Sequence, residues 1–280
     1  MIDLENATKK YDHFDLNISL TLPKGKVSGI VGRNGAGKST TIKLILGLIK
    51  PDTGTVRVFG NDPAMLSDED KNNIGVTLAE SGFNNYITIT AVTKILKNMY
   101  RDFDEEKFIH DVKNQNLPLD KFLKDFSTGM KAKLRVLVAL SHKADLLILD
   151  EPTSGLDVVA RNEILDMLRN YIAENENRSI LITSHISSDL EELCDDIYFI
   201  DDGKIIFHED TDVLLGNYAV LKVSKNDFDA LDKQYILKTK EERYGYECLT
   251  NERQYYIDNY PGIVIENSGI DNLIIMLSTK

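Results

Sequence analysis

The sequence predicts an α/β protein built on a mostly parallel β-sheet, with a helical insertion in its middle and a small α+β module at its end. Two observations carry this expectation. Short apolar, β-branched runs alternate with helical patterns through roughly the first 210 residues, and those runs are apolar almost without interruption, as strands covered on both faces must be. A glycine-rich loop, Gly32 to Thr40, stands between one such strand and the helix that follows it. A length of 280 residues suits one large domain or two smaller ones with a substantial core, and 42% hydrophobic with 28% charged residues excludes a largely disordered or low-complexity chain.

In chain order, the strand candidates are KVSGIVG (26–32), TVRVFG (55–60), NIGVTL (73–78), ADLLILD (144–150), SILITS (179–184) and IYFID (197–201). Between about Thr88 and His142 no such run occurs. TAVTKILKNMY, DEEKFIHDVKNQN and GMKAKLRVLVALSHK space their apolar residues as helices do, which defines the insertion. After Asp212 the texture changes: YAVLKVS, YILKTKEE, RYGYECLT, QYYIDN and GIVIEN are strand candidates, and IDNLIIMLSTK is an amphipathic helix. Gly216 and Asn217 are turn formers at the change, which divides the chain into a unit of residues 1–217 and an accessory unit of residues 218–280.

Lys and Arg number 33 against 45 Asp and Glu, and the net charge of −12 opposes non-specific binding to nucleic acid or anionic lipid, so no nucleic-acid partner is expected. Two distant cysteines, Cys194 and Cys248, cannot build a disulfide framework, and the opening residues lack the apolar run of a signal peptide. No segment approaches the roughly 18 to 20 apolar residues that span a bilayer. The expected address is cytosolic and reducing.

Gly32-Arg33-Asn34-Gly35-Ala36-Gly37-Lys38-Ser39-Thr40 follows a strand and opens the helix TTIKLILGLI, the context a phosphate-binding loop requires. Its glycines let backbone N–H groups turn inward around phosphates, and the helix N-terminus adds its positive dipole end. Lys38 would reach the β- and γ-phosphates, and the Ser39 hydroxyl would bind Mg²⁺. A second signal is Leu146 to Pro152, an apolar strand ending in two adjacent carboxylates. Buried acids at a strand end are costly unless a cation or water chemistry uses them. Asp150 suits the Mg²⁺ shell, and Glu151 suits the general base for an attacking water.

With these residues in place, the sequence resembles an ATP-binding cassette (ABC) ATPase, the nucleotide-binding subunit of ABC transporters, over nearly all of its first 215 residues. Ser127-Thr128-Gly129-Met130-Lys131 opens a helical pattern where the family places its signature, reading STGMK against the family's SGGQ. Ser154-Gly155-Leu156-Asp157 resembles the D-loop, and Thr183-Ser184-His185 follows a strand as the family's switch histidine does. The resemblance implies a P-loop NTPase (RecA-like) sheet with an antiparallel β subdomain and a helical subdomain at about 88–142. It also implies ATP and Mg²⁺ as ligands, and His185 on the γ-phosphate and lytic water. In a head-to-tail dimer, Ser127 and Gly129 of one subunit would complete the ATP site of the other, and Asp157 of the D-loop is a further nucleotide-binding candidate. Homodimer and heterodimer both remain open. Tyr11 stands where an aromatic usually stacks on adenine, with His13 and Phe14 as competitors because the stretch to Gly32 is shorter than the family's.

One departure is large. The strand NIGVTL is followed by Ala79-Glu80-Ser81-Gly82, with no glutamine for the family's Q-loop, so Glu80 is the candidate for its Mg²⁺ and water contacts. The texture of these motifs is most similar to ABC-2-type bacterial exporters of the peptide and antibiotic efflux group. That likeness implies a separate transmembrane permease and a place at the cytoplasmic face of the cell membrane. A soluble ABC ATPase of a scaffold or assembly system, and a non-hydrolysing nucleotide-sensing module, are the alternatives.

Overall fold

The computed structural model describes residues 1–78, 83–101 and 103–278; Ala79 and Glu80, the Q-loop candidates, lie outside the described residues. The chain opens with a hairpin, β1 (Ile2–Tyr11) and β2 (Phe14–Leu22), followed by β3 (Val27–Val31), helix α1 (Lys38–Ile45) and β4 (Thr53–Val58). A short helix α2 (Asp68–Asn72) leads into β5 (Ile74–Thr77), after which α3 (Ile89–Met99), α4 (Glu105–Asn114) and α5 (Thr128–Leu140) form the helical insertion. Then come β6 (Leu146–Asp150), α6 (Val158–Ala173), β7 (Ser179–Ser184), α7 (Ser187–Leu193), β8 (Asp196–Asp201), β9 (Lys204–Asp210) and α8 (Thr211–Asn217). The last stretch holds β10 (Ala219–Val223), α9 (Lys225–Ala230), β11 (Ile236–Glu242), β12 (Gly245–Thr250), α10 (Arg253–Asn259), β13 (Val264–Asn267) and α11 (Ile270–Ser278).

A nine-stranded sheet runs in the order β4-β1-β2-β9-β8-β3-β7-β6-β5. Its centre, β8-β3-β7-β6-β5, is parallel, and β1 pairs antiparallel with β2 and β4. The expected strand at 55–60 is therefore an antiparallel edge strand, β4. The central strands are apolar throughout because each face is covered. Ile30, Leu146, Ile148 and Leu181 pack toward Ile42 and Ile45 of α1. Their neighbours Val31, Leu147, Leu149 and Ile182 pack on the other face with Val92, Leu134, Ile164 and Leu168 of the surrounding helices. Each such fully buried aliphatic side chain stabilises the fold by about 1.5 to 3 kcal/mol. This alternation along β6 puts Asp150 at the carboxyl end of a dry strand, beside the end of β7.

The second sheet, β11-β12-β10-β13, is antiparallel. One of its faces shares the main core: Val220 and Leu249 join Ile270, Leu273 and Met276 of α11 against Leu190, Ile197 and Phe199. Its other face, with Leu221, Val223 and Cys248, packs on Tyr256. One expectation fails here: QYYIDN is helical (α10), not a strand. The helix puts Tyr255, Tyr256 and Tyr260 around one residue, Asp232. The Tyr255 hydroxyl donates to Asp232 Oδ2 (2.7 Å), the Tyr256 hydroxyl donates to Asp232 O (2.7 Å), and Asp232 N–H donates to the Tyr260 oxygen (2.8 Å). Tertiary contacts at helical spacing override the strand propensity of Tyr and Ile.

Candidate functional site

The glycine-rich loop needs glycine for space and for backbone shape. A Cβ on Gly32 would come 2.3 Å from the carbonyl oxygen of Ile200. Gly37 has φ of 117°, and its Cβ would meet Leu16 Cδ1 at 2.7 Å and Phe14 Cζ at 3.0 Å. Only a residue without a side chain fits both conditions. Gly37 is also the N-cap of α1 and has no side chain to cap it, so the first-turn N–H groups face the cleft without an intrahelical acceptor. Lys38, 6% exposed, folds back so that its ammonium donates to Gly32 O (2.7 Å) and Arg33 O (3.2 Å).

Across the cleft, β6 ends in Asp150, which is buried and accepts a hydrogen bond from the Thr183 hydroxyl (2.7 Å). Glu151 follows with φ of +50°, a left-handed conformation that costs a non-glycine residue about 1 kcal/mol or more. The surrounding bonds hold it there. Its N–H donates to Thr183 Oγ1 (3.0 Å) and Thr183 O (3.2 Å), which turns the carboxylate into the cleft. Glu151 Oε2 lies 2.5 Å from His185 Nδ1 and accepts from the His185 N–H (3.3 Å). Glu151 Oε1 is buried and lies 3.2 Å from Lys38 Nζ, outside hydrogen-bond geometry. Lys38, Glu151 and His185, which are far apart in sequence, thus form one polar cluster.

The cluster lines a cleft of about 500 Å³ together with Phe14, Arg33, Asn34, Gly35, Gly37, Ser39, Thr40, Arg135 and Ser154. Gly32 and Ala36 shape the loop from behind: Gly32 O holds Lys38, and Ala36 O accepts from Gly203 N (3.0 Å). Tyr11 and Phe14, both candidates for the adenine face, sit differently. Tyr11 and Phe14 are paired across the end of the β1–β2 hairpin, and that register puts Phe14 against Gly37 and into the cleft. Tyr11 is 47% exposed beyond it, ring centroids 6.3 Å apart. Among the described residues lining the cleft, Ser127, Gly129 and Asp157 do not occur. Ser127 caps α5, accepting from Met130 N (3.2 Å), and Asp157 caps α6, accepting from Ala160 N (2.9 Å). Arg135 is a cleft residue that sequence reasoning missed, and burial pulls its guanidinium below the ordinary value. A lone arginine inside the apolar run LRVLVAL is the signal that marks it.

Comparisons with known proteins place the chain in a family. Residues 16–154 match the ABC transporter family model. The chain is 32% identical over 226 residues to the ABC transporter ATP-binding protein YtrB of Bacillus subtilis, covering 80% of this chain and 77% of that one. It is 36% identical over 207 residues to the bacitracin transport ATP-binding protein BcrA of Bacillus licheniformis, covering 71% and 64%. Among solved structures, the ATP-binding cassette MJ0796, a dimer bound to ADP and Pi after hydrolysis, superposes over 75% of this chain and 99% of its own with a TM-score of 0.65 at 22% identity. The chain that carries this phosphate loop, the paired Asp and Glu at the end of the next strand but one, and the histidine at the end of the strand between them is thus similar to such relatives over most of its length, and the protein belongs to the ATP-binding, ATP-hydrolysing subunits of the ABC transporter family.

Proposed function

We propose that two copies of the chain close head-to-tail around two ATP molecules and, through a separate membrane-spanning permease, drive export of a peptide, antibiotic or lipid-like compound. The reading of the substrate class rests on the likeness to BcrA, a bacitracin transport protein. Residues 1–217 serve as the ATPase unit and residues 218–280 as its accessory module. No helix among the described residues is long and apolar enough to cross a membrane, so in this reading the permease supplies the membrane path and holds the subunit at the cytoplasmic face.

What carries the chemical reading is the Lys38–Glu151–His185 cluster in a cleft floored by a phosphate loop. Lys38 binds the β- and γ-phosphates, and the loop and first-turn N–H groups take the remaining oxygens. Phe14 stacks on the adenine. Glu151 accepts a proton from water as its oxygen attacks the γ-phosphorus; the bond to the β–γ bridging oxygen breaks, and ADP and phosphate result. His185 orients Glu151 and the γ-phosphate. The described residues hold no cluster of three or more acidic or imidazole side chains able to bind a metal unaided. The donor set fits Mg²⁺ brought in with phosphate: the Ser39 hydroxyl and the Asp150 carboxylate would hold it, with Glu80 as a further candidate ligand, and it would offset charge on the β- and γ-oxygens.

Glu151→Gln tests the reading. It should keep ATP affinity and slow phosphate release by about 10²- to 10⁴-fold, the usual range for losing a general base; turnover near wild type would remove Glu151 from this role. Affinity purification with and without detergent tests the partner. A multi-span membrane protein recovered in stoichiometric amount only in detergent supports the exporter, whereas soluble partners under both conditions support a scaffold ATPase.

A further inference from the structure

The chemistry assigned above makes no use of one acid that is completely buried next to it. Asp189, in the first turn of α7, is 0% exposed, four residues after His185. Its two oxygens take partners from two other elements. Oδ2 accepts from the Thr153 hydroxyl at 2.6 Å, and Thr153, itself fully buried, stands two residues after Glu151. Oδ1 is paired with Arg161 Nε, and Arg161 also donates through Nη2 to Ser188 Oγ (2.5 Å). Arg161 is in the first turn of α6, whose N-cap is Asp157. One carboxylate therefore joins the loop behind Glu151, the helix behind Asp157 and the helix behind His185.

A buried charge persists only where its partners are fixed, and removing one partner is costly. A residue at φ of +50° likewise persists only where neighbouring bonds over-determine it. The Glu151 N–H is tied to β7 on one side, and Ser154 N donates back to Glu151 O (3.3 Å). The Thr153–Asp189 bond is the tie on the other side. We propose that Asp189, with Thr153 and Arg161, is a positioning site for hydrolysis, holding the Glu151 loop and the His185 helix in one register. None of the three lines the ATP cleft. The inference rests on the assignment of Glu151 and His185 given above.

Thr153→Val keeps the shape and deletes the hydroxyl. In the full-length chain it should lower kcat by about tenfold or more while leaving the KM for ATP within about twofold, because a small misplacement of reacting groups is paid in rate and not in binding. Thr153→Ser, which restores the hydroxyl, should recover most of that loss. Asp189→Asn, able to accept at one oxygen only, should fall further, with the same split between kcat and KM. A kcat for Thr153→Val within twofold of wild type overturns the proposal. So does an equal loss in the Val and Ser variants, or a fall that only tracks the folded fraction seen in thermal melts and ATP titration. Glu151→Gln assayed in parallel separates two failures. Wild-type turnover there removes Glu151's role and this inference with it; slow turnover there with a normal Thr153→Val removes the inference alone.

Discussion

At the scale of single residues, the hairpin register sets Phe14 rather than Tyr11 against the phosphate loop, and the proposed adenine stacking can be tested on both rings. Tyr11 and Phe14 are directly opposed, two residues apart in loop and close in ring distance, yet only Phe14 reaches the wall formed by Gly37. Stacking of a base on an aromatic ring contributes about 1 to 3 kcal/mol, so Phe14→Ala should weaken ATP binding by about tenfold. Tyr11→Ala should change it less than about threefold, the same measure applied to a ring outside the cleft. Titration with a fluorescent ATP analogue reads both, and a larger effect at Tyr11 would reverse the assignment. Lys38→Ala belongs to the same scale: it removes a cation that meets two loop carbonyls and Glu151, and nucleotide binding should be lost before turnover can be measured.

At the scale of elements, the joints between helices and sheet carry their own signatures. His142, just beyond α5, stacks on Tyr100 with ring centroids 4.0 Å apart, and its Nε2 lies 3.2 Å from Ile74 O at the start of β5. Burial pulls its pKa below the ordinary imidazole value, so the folded state prefers it neutral. That preference stabilises the fold above the unfolded pKa of about 6.5 and is lost as pH falls through the folded value. His142→Leu should therefore flatten the slope of unfolding free energy against pH below about 6.5, measured by urea titration. The other joint is α11, where Ile270 N donates to Glu191 Oε1 of α7 (2.7 Å) and Leu273 is fully buried in the shared core. Leu273→Ala should cost about 2 to 5 kcal/mol. These joints also mark the limit of what local pattern reveals. The strands β3 and β5 to β8 were legible because burial on both faces leaves a continuous apolar run, and the phosphate loop was legible because its chemistry is local. The β1–β2 hairpin was not assigned as strands, although β2 alternates Leu16, Ile18, Leu20 and Leu22 inward. Helix α10 and the position of Phe14 in the cleft are set by partners more than 20 residues away or by register, and so is the pairing of Asp189 with Thr153. No local pattern encodes those.

At the scale of the whole molecule, the signature serine stands apart from the chemistry it is expected to serve. Ser127 opens α5 on the helical insertion and is exposed, and it is not among the residues that line its own subunit's cleft. If a second copy supplies it, each site contains Lys38 from one chain and Ser127 from the other, and the two can be inactivated separately. Lys38→Ala removes the phosphate cation. Ser127→Asp is the matching lesion: aspartate caps a helix as well as serine does, so α5 keeps its N-terminus, while the added carboxylate repels the γ-phosphate. Each variant alone should be inactive as a homodimer, since both of its sites carry the lesion. Mixed in equal amounts, half of the dimers pair one variant with the other, and in those dimers both lesions fall in one site while the second site is wholly wild type. Recovery should approach about a quarter of wild-type turnover per chain if exchange is free and the sites act independently, and it should appear only when both variants are present. Two variants that stay inactive on mixing, while native mass spectrometry shows mixed dimers, would place Ser127 in its own subunit's chemistry and end the head-to-tail arrangement.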